Sequence, residues 1–186
     1  ALPILSGLDF SVNSGDYLCI VGENGSGKST LMKMLNGLYE PTSGKILYKG
    51  KEINIDSPSV AAKTGIGMVY QHFMLVDTLT VAENMVLGFE PSIMGKFDKK
   101  KARQDVIDVA EKYGLNINPD SKVEDLSVGI QQRIEILKIL FKGAELLIFD
   151  EPSAVLTPQE VKELYQIMRN LVKEGKTIIF ITHKLQ

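Results

Sequence analysis

Nine consecutive residues, Gly22-Glu23-Asn24-Gly25-Ser26-Gly27-Lys28-Ser29-Thr30, constrain this chain more than anything else in it. Gly22 is followed, after four residues, by Gly27-Lys28-Ser29, a spacing in which glycines let successive backbone N–H groups turn inward around an anion. The flanks give the setting. Tyr17–Val21 is a short apolar run without alternation, bounded by Gly15 and Gly22, which predicts a strand buried on both faces. Behind the loop Leu31, Leu35 and Leu38 share one helical face, with Gly37 and Pro41 as a stop. Strand, glycine loop and helix together make a phosphate site, because the helix N-terminus adds its partial positive charge. Lys28 can then reach the β and γ phosphates and the Ser29 hydroxyl can ligate magnesium. The expected ligand is ATP with magnesium, cradled by residues 22–30.

A second signal lies downstream. Leu146–Asp150 followed by Glu151 is a run of four apolar residues that delivers two adjacent carboxylates to the end of a buried strand. Such a pair is costly there without a cation close by. Asp150 is placed to hold that magnesium, directly or through water, and Glu151 to polarise an attacking water. Any strand can end in an acid, so this pair gains its meaning from the glycine loop.

Between these signals the chain reads as alternating strands and helices. Residues 46–48 and 53–55 suggest a hairpin around Lys49-Gly50-Lys51, and 66–70 a further strand. Thr80 and Glu83 form a capping-box pair. Asp98 caps a helix with Ala102, Val106, Val109, Ala110 and Tyr113 inside, and Ile130, Ile134, Leu137 and Phe141 share a face of another. Thr157-Pro158-Gln159-Glu160 opens a helix with a threonine cap, proline at the first position and glutamate three residues after the cap. Residues 178–181 make the last strand. Strand–helix–strand units imply a parallel sheet with ligands at the carboxyl ends of its strands. The expectation is one α/β domain: a core over about 1–77 and 141–186, with a helical subdomain over about 78–140.

Composition narrows the class. The 186 residues carry 24% charged and 44% hydrophobic side chains, ordinary for a globular domain, and the longest apolar runs are strand-sized. A net charge of −2 gives no reason to expect a nucleic-acid partner. The start of the chain lacks a basic-then-apolar leader, which points to a reducing, cytoplasmic setting in which the single Cys19 is a buried, inert thiol.

With these residues in hand, the chain resembles the nucleotide-binding domains of ABC transporters over essentially its whole length. The decisive stretch is Leu126-Ser127-Val128-Gly129-Ile130-Gln131-Gln132-Arg133, similar to the family signature ahead of its helix. The resemblance implies a P-loop NTPase fold of the RecA-like kind, a mostly parallel sheet core with an antiparallel β part. It also implies a head-to-tail dimer in which the signature of one copy closes over ATP held by the other, with Ser127 and the Gly129 backbone on the γ-phosphate. Read by itself, Ser127 is equally a helix cap. Gln71, after the strand 66–70, matches the family glutamine that senses magnesium and the attacking water. His183 matches the switch histidine on the γ-phosphate.

The segments 65–75, 126–129 and 151–158 are similar to the ATPases of simple-sugar and nucleoside importers. That likeness implies transmembrane permease partners and a place at the inner face of the cell membrane, with selectivity residing in the membrane and binding proteins. The alternatives are a nucleotide-binding module without turnover, as in a trimmed or chimeric chain, and a soluble ABC ATPase. The last should carry a coiled-coil insertion or basic linker that this sequence lacks. The family's adenine-stacking aromatic falls upstream of Ala1. Val128 replaces the usual first glycine of the signature, Ile130 stands at a position where glutamine is common, and Thr157 stands where aspartate is frequent. These departures touch the contacts made across the dimer and the coupling of its two sites.

Overall fold

The computed structural model describes residues 4–88, 91–93 and 96–183. Tyr17–Val21 forms β1, and the glycine loop leads into α1, Lys28–Leu35. β2 (Ile46–Tyr48) and β3 (Lys51–Ile53) pair as an antiparallel hairpin, with Ile46 opposite Ile53. Then come α2 (Pro58–Thr64), β4 (Ile66–Val69) and α3 (Val81–Val86). A two-residue antiparallel pair, β5 (Ser92–Ile93) with β6 (Lys96–Phe97), precedes α4 (Lys99–Lys112). α5 (Val128–Phe141), β7 (Leu146–Asp150), α6 (Pro158–Lys173) and β8 (Thr177–Thr182) complete the order.

β1, β8, β7 and β4 lie side by side in that order, all parallel, so the expected α/β architecture is present. Successive side chains of a strand point to opposite faces, and the packing follows that period. Leu147 and Phe149 of β7 join Ile178 and Phe180 of β8 in one apolar cluster with α3, α4, α5 and α6. Ile148, Ile179 and Ile181 face the other way, onto Met32 of α1, Ala61 of α2 and Ile55 beyond β3. The sheet is thus filled from both sides, which suits the near-continuous apolar runs of its central strands. Among the described residues no helix is long and apolar enough to cross a membrane.

The register brings the strand ends level. Val21 pairs with Thr182, Asp150 with Ile181 and Val69 with Phe149. Every segment that leaves a carboxyl end therefore starts on the same edge of the sheet.

Several expectations need correction. β1 is an end strand of the described sheet, with Tyr17 39% and Val21 43% exposed, because only β8 flanks it there. Cys19 is half-buried against the apolar cluster, and desolvation pushes its thiol pKa up, which keeps it protonated. Leu38 lies outside α1 and is exposed. Gly37 sits at φ 71°, its N–H bonded to the Met34 carbonyl, while the Leu38 N–H reaches the Lys33 carbonyl at 2.8 Å. That double closure ends the helix three residues before Leu38 could join its face. β3 stops at Ile53, so Asn54 and Ile55 are outside the hairpin, and β4 stops at Val69. α2 is an element that the apolar pattern does not give. Its signal was local: Ser57 caps the Val60 N–H and Pro58 takes the first helical position.

Two glycines separate backbone conformation from packing. A Cβ on Gly37 would lie 2.6 Å from the Ser57 backbone, whereas one on Gly143, at φ 81°, would meet nothing within 4 Å. Gly143→Ala is expected to cost about 1 kcal/mol in denaturant unfolding, from left-handed backbone alone. Gly37→Ala adds the clash and is expected to cost about 2–4 kcal/mol; equal losses for the two would refute the close approach.

Candidate functional site

Four strand ends supply the site. From β1, the loop turns with Gly25 at φ 83° and Gly27 at φ 89°, conformations that favour glycine. Gly27 is also the N-cap of α1 and offers no side chain to its amides. The other α-helices are capped differently: Ser57, Thr80, Asp98, Ser127 and Thr157 each accept a backbone N–H. The N-terminus of α1 thus keeps its donors and its positive end for whatever enters the loop.

Lys28 turns its ammonium into that loop. Nζ donates to the carbonyls of Gly22 and Glu23, both at 2.7 Å, and to the Ser26 hydroxyl at 3.3 Å. Ser29, next on α1, donates its hydroxyl to Asp150 Oδ1 at 2.9 Å, joining the start of the helix to the end of β7. Asp150 is buried. Its neighbour Glu151 adopts φ 50°, unusual for a side chain with a Cβ, and its N–H bonds the Ile181 carbonyl of β8 at 3.1 Å. That turn sends the Glu151 carboxylate out of the strand toward His183, whose Nδ1 lies 2.8 Å from Glu151 Oε2. A backbone strained in this way at a strand end is a common mark of a working site.

A pocket of about 350 Å³ is lined by Asn24 to Thr30, Gln71, Glu151 and His183, with Ile4 and Ala154 at its margin, and Asp150 is tied to it through its bond with Ser29. Gln71, exposed beyond the end of β4, is brought to the same wall as the glycine loop. Of the residues expected from sequence, Asn24 to Thr30, Glu151, Gln71 and His183 line the pocket, while Gly22 and Glu23 stand behind it through their carbonyls on Lys28 and Asp150 through Ser29. Ser127 and Gly129 do not line the pocket. Ser127 caps α5 through the Ile130 N–H at 3.4 Å, and the Gly129 N–H is given to Glu160 Oε1 at 3.1 Å.

The donor set also suits a magnesium ion. The described residues hold no cluster of three or more His, Cys, Asp or Glu that could bind a metal by themselves. Ser29 and Asp150 instead present two hard oxygens side by side. Magnesium takes one or two protein oxygens and completes its shell with phosphate and water, so the pair fits it.

Supporting residues lie on α5 and were not singled out from the sequence. Gln132 Nε2 donates to the Pro152 carbonyl at 2.7 Å, behind Glu151. Glu135 accepts the Met74 N–H at 2.8 Å, and Lys138 Nζ donates to the Met74 carbonyl at 2.7 Å, so both backbone groups of one residue in the loop after Gln71 are gripped. Burial pushes the Glu135 carboxyl pKa up, against a smaller opposing pull from Lys138. Their partners lie 61 and 64 residues away, and no local pattern announces such bonds.

Comparison with known proteins agrees with this geometry. The ABC transporter family profile matches residues 5–154. The guanosine import ATP-binding protein of Bacillus subtilis is 59% identical over 172 residues, covering 92% of this chain and 34% of that protein. The nucleoside import ATP-binding protein of Lactococcus lactis is 56% identical over 178 residues, covering 96% and 35%. The chain thus spans about a third of the length of the curated relatives it matches. Among solved structures, the ADP conformation of an ATP-binding cassette of an ABC transporter superposes with a TM-score of 0.85 at 27% identity, covering 98% of this chain and 76% of that one. A bacterial ABC transporter cassette in a dimeric structure gives 0.77 at 26% identity, covering 97% and 80%. A glycine loop, an acid pair, a glutamine and a histidine gathered on one sheet edge, under a profile that covers most of the sequence, place this chain in the ABC transporter family, as one of its ATP-binding cassettes.

Proposed function

We propose that this chain binds and hydrolyses ATP to drive import of a nucleoside or sugar. In this reading it works head to tail with a second cassette, docked on transmembrane permease subunits at the inner face of the membrane. The observation that carries the reading is the convergence of Lys28, Ser29, Gln71 and the Glu151–His183 pair on one pocket, with Asp150 bonded to Ser29. Import is supported by the names of the relatives, and nucleoside cargo by identities of 59% and 56% to nucleoside systems against 43% to a ribose system.

The triphosphate is held by the inward-facing amides of residues 22–30 and by the N-terminal end of α1. Lys28 exchanges its carbonyl partners for phosphate oxygens, trading neutral acceptors for charged ones. Ser29 and Asp150 would hold magnesium, which would supply positive charge beside the phosphates. Glu151 accepts the proton of the attacking water, and its bond to His183 orients the carboxylate beforehand. His183 and Lys28 then face the charge that develops on the γ-phosphate, and Gln71 orders the water. Exposed Met74, in the loop 71–77, is the proposed contact with the permease, and the helices of 78–140 are proposed to move with that loop.

Glu151→Gln is expected to leave ATP binding intact and to slow phosphate release at least about a hundredfold; undiminished release removes Glu151 from its role. Lys28→Ala is expected to weaken ATP binding in calorimetry by about ten- to a hundredfold, the worth of a charged hydrogen bond. Unchanged affinity in that variant would contradict the cradle.

A further inference from the structure

Thr157 caps α6, and the proposed function gives it no other part. Its capping partner does more. Glu160 Oε2 accepts the Thr157 N–H at 3.0 Å and the Thr157 hydroxyl at 2.9 Å. Its other oxygen, Oε1, accepts the Gly129 N–H at 3.1 Å, 31 residues away at the start of α5. One carboxylate therefore ties the segment after Glu151 to the stretch 126–129.

Gly129 leaves room for this contact. Its φ is not in the left-handed region, yet a Cβ there would lie 2.5 Å from Glu160 Oε1, so any larger residue would push the carboxylate away. Glu160 also carries its charge at neutral pH. The Thr157 N–H and hydroxyl, and after them the Gly129 N–H and the Ser127 hydroxyl, hold its carboxyl below the usual range. The family resemblance implies that Ser127 and the Gly129 backbone meet the γ-phosphate held by a second copy. They already face an anion of their own chain.

A single N–H cannot give a full hydrogen bond to two anions at once, and two negative groups at one amide repel. We propose that Glu160 is a positioning residue. It holds the Gly129 amide until the γ-phosphate of a second copy's ATP displaces it, and its release loosens the Thr157 segment, so that closure at one signature is felt at the loop behind Glu151. This rests on the head-to-tail reading.

The test measures, by light scattering, the ATP concentration that half-dimerises the Glu151→Gln chain, alone and with a second substitution. Glu160→Gln keeps the size and one acceptor but removes the charge. It is expected to lower the half-dimerising concentration about tenfold. Thr157→Ala weakens the same helix cap but leaves the Glu160 charge in place, and it is expected to give no lowering. A midpoint unchanged or raised by Glu160→Gln overturns the proposal, and so does an equal lowering by Thr157→Ala; in both cases the head-to-tail reading survives. If Glu151→Gln shows no ATP-dependent dimer with or without Glu160→Gln, the head-to-tail reading itself fails, and this proposal with it.

Discussion

The hydrogen bond from the Ser29 hydroxyl to the Asp150 carboxylate is the point on which the site turns. A carboxylate at the end of a buried strand loses much of its water and needs a polar partner. Here the partner comes from the first turn of the helix that follows the glycine loop, so the loop and the central strand β7 are held together by the two groups proposed to share the metal. The parallel register does the rest. Because Val21, Thr182, Asp150 and Val69 end their strands on one edge, the lysine, the histidine, the acid pair and the glutamine arrive there from four separate parts of the chain.

α5 stitches that edge together from behind. Gly129, Gln132, Glu135 and Lys138 recur every three residues, so each neighbours the next on the helix surface. They bind, in turn, Glu160 of α6, the Pro152 carbonyl after the acid pair, and both backbone groups of Met74 in the loop after Gln71. Glu135 and Lys138 are themselves well shielded from solvent, and two ionisable groups are stable in such a place only when they are hydrogen-bonded. α5 is thus bonded at one end to the loop at Met74 and further along to the segment behind Glu151.

What was legible in the sequence was local. The capping boxes at Thr80–Glu83 and Thr157–Glu160 form as read, because each bond spans three residues. The glycine loop and the acid pair were readable because their chemistry is written into consecutive residues. α2 had an equally local sign in Ser57-Pro58, but its buried face within the helix amounts to Ala61 alone, too little for a periodic pattern. Other features depend on distant neighbours. Leu38 was placed on a helical face by period, but Gly37 closed the helix first. β1 looked like a doubly buried strand from its apolar run, yet burial is decided by which strands lie beside it, and only β8 does. The Glu160 bond to Gly129 spans 31 residues and involves a backbone donor, which leaves no trace in side-chain pattern.

The central claim is that a nucleotide-bound metal sits between Ser29 and Asp150. The direct measurement is a crystal structure of the chain with a non-hydrolysable ATP analogue and manganese in place of magnesium, read by the metal's anomalous signal. The account expects one peak at about 2.0–2.2 Å from Ser29 Oγ, beside Asp150, with the β and γ phosphates over the amides of residues 22–30. Nucleotide bound in the pocket with the metal elsewhere, or phosphates lying away from the glycine loop, would contradict it.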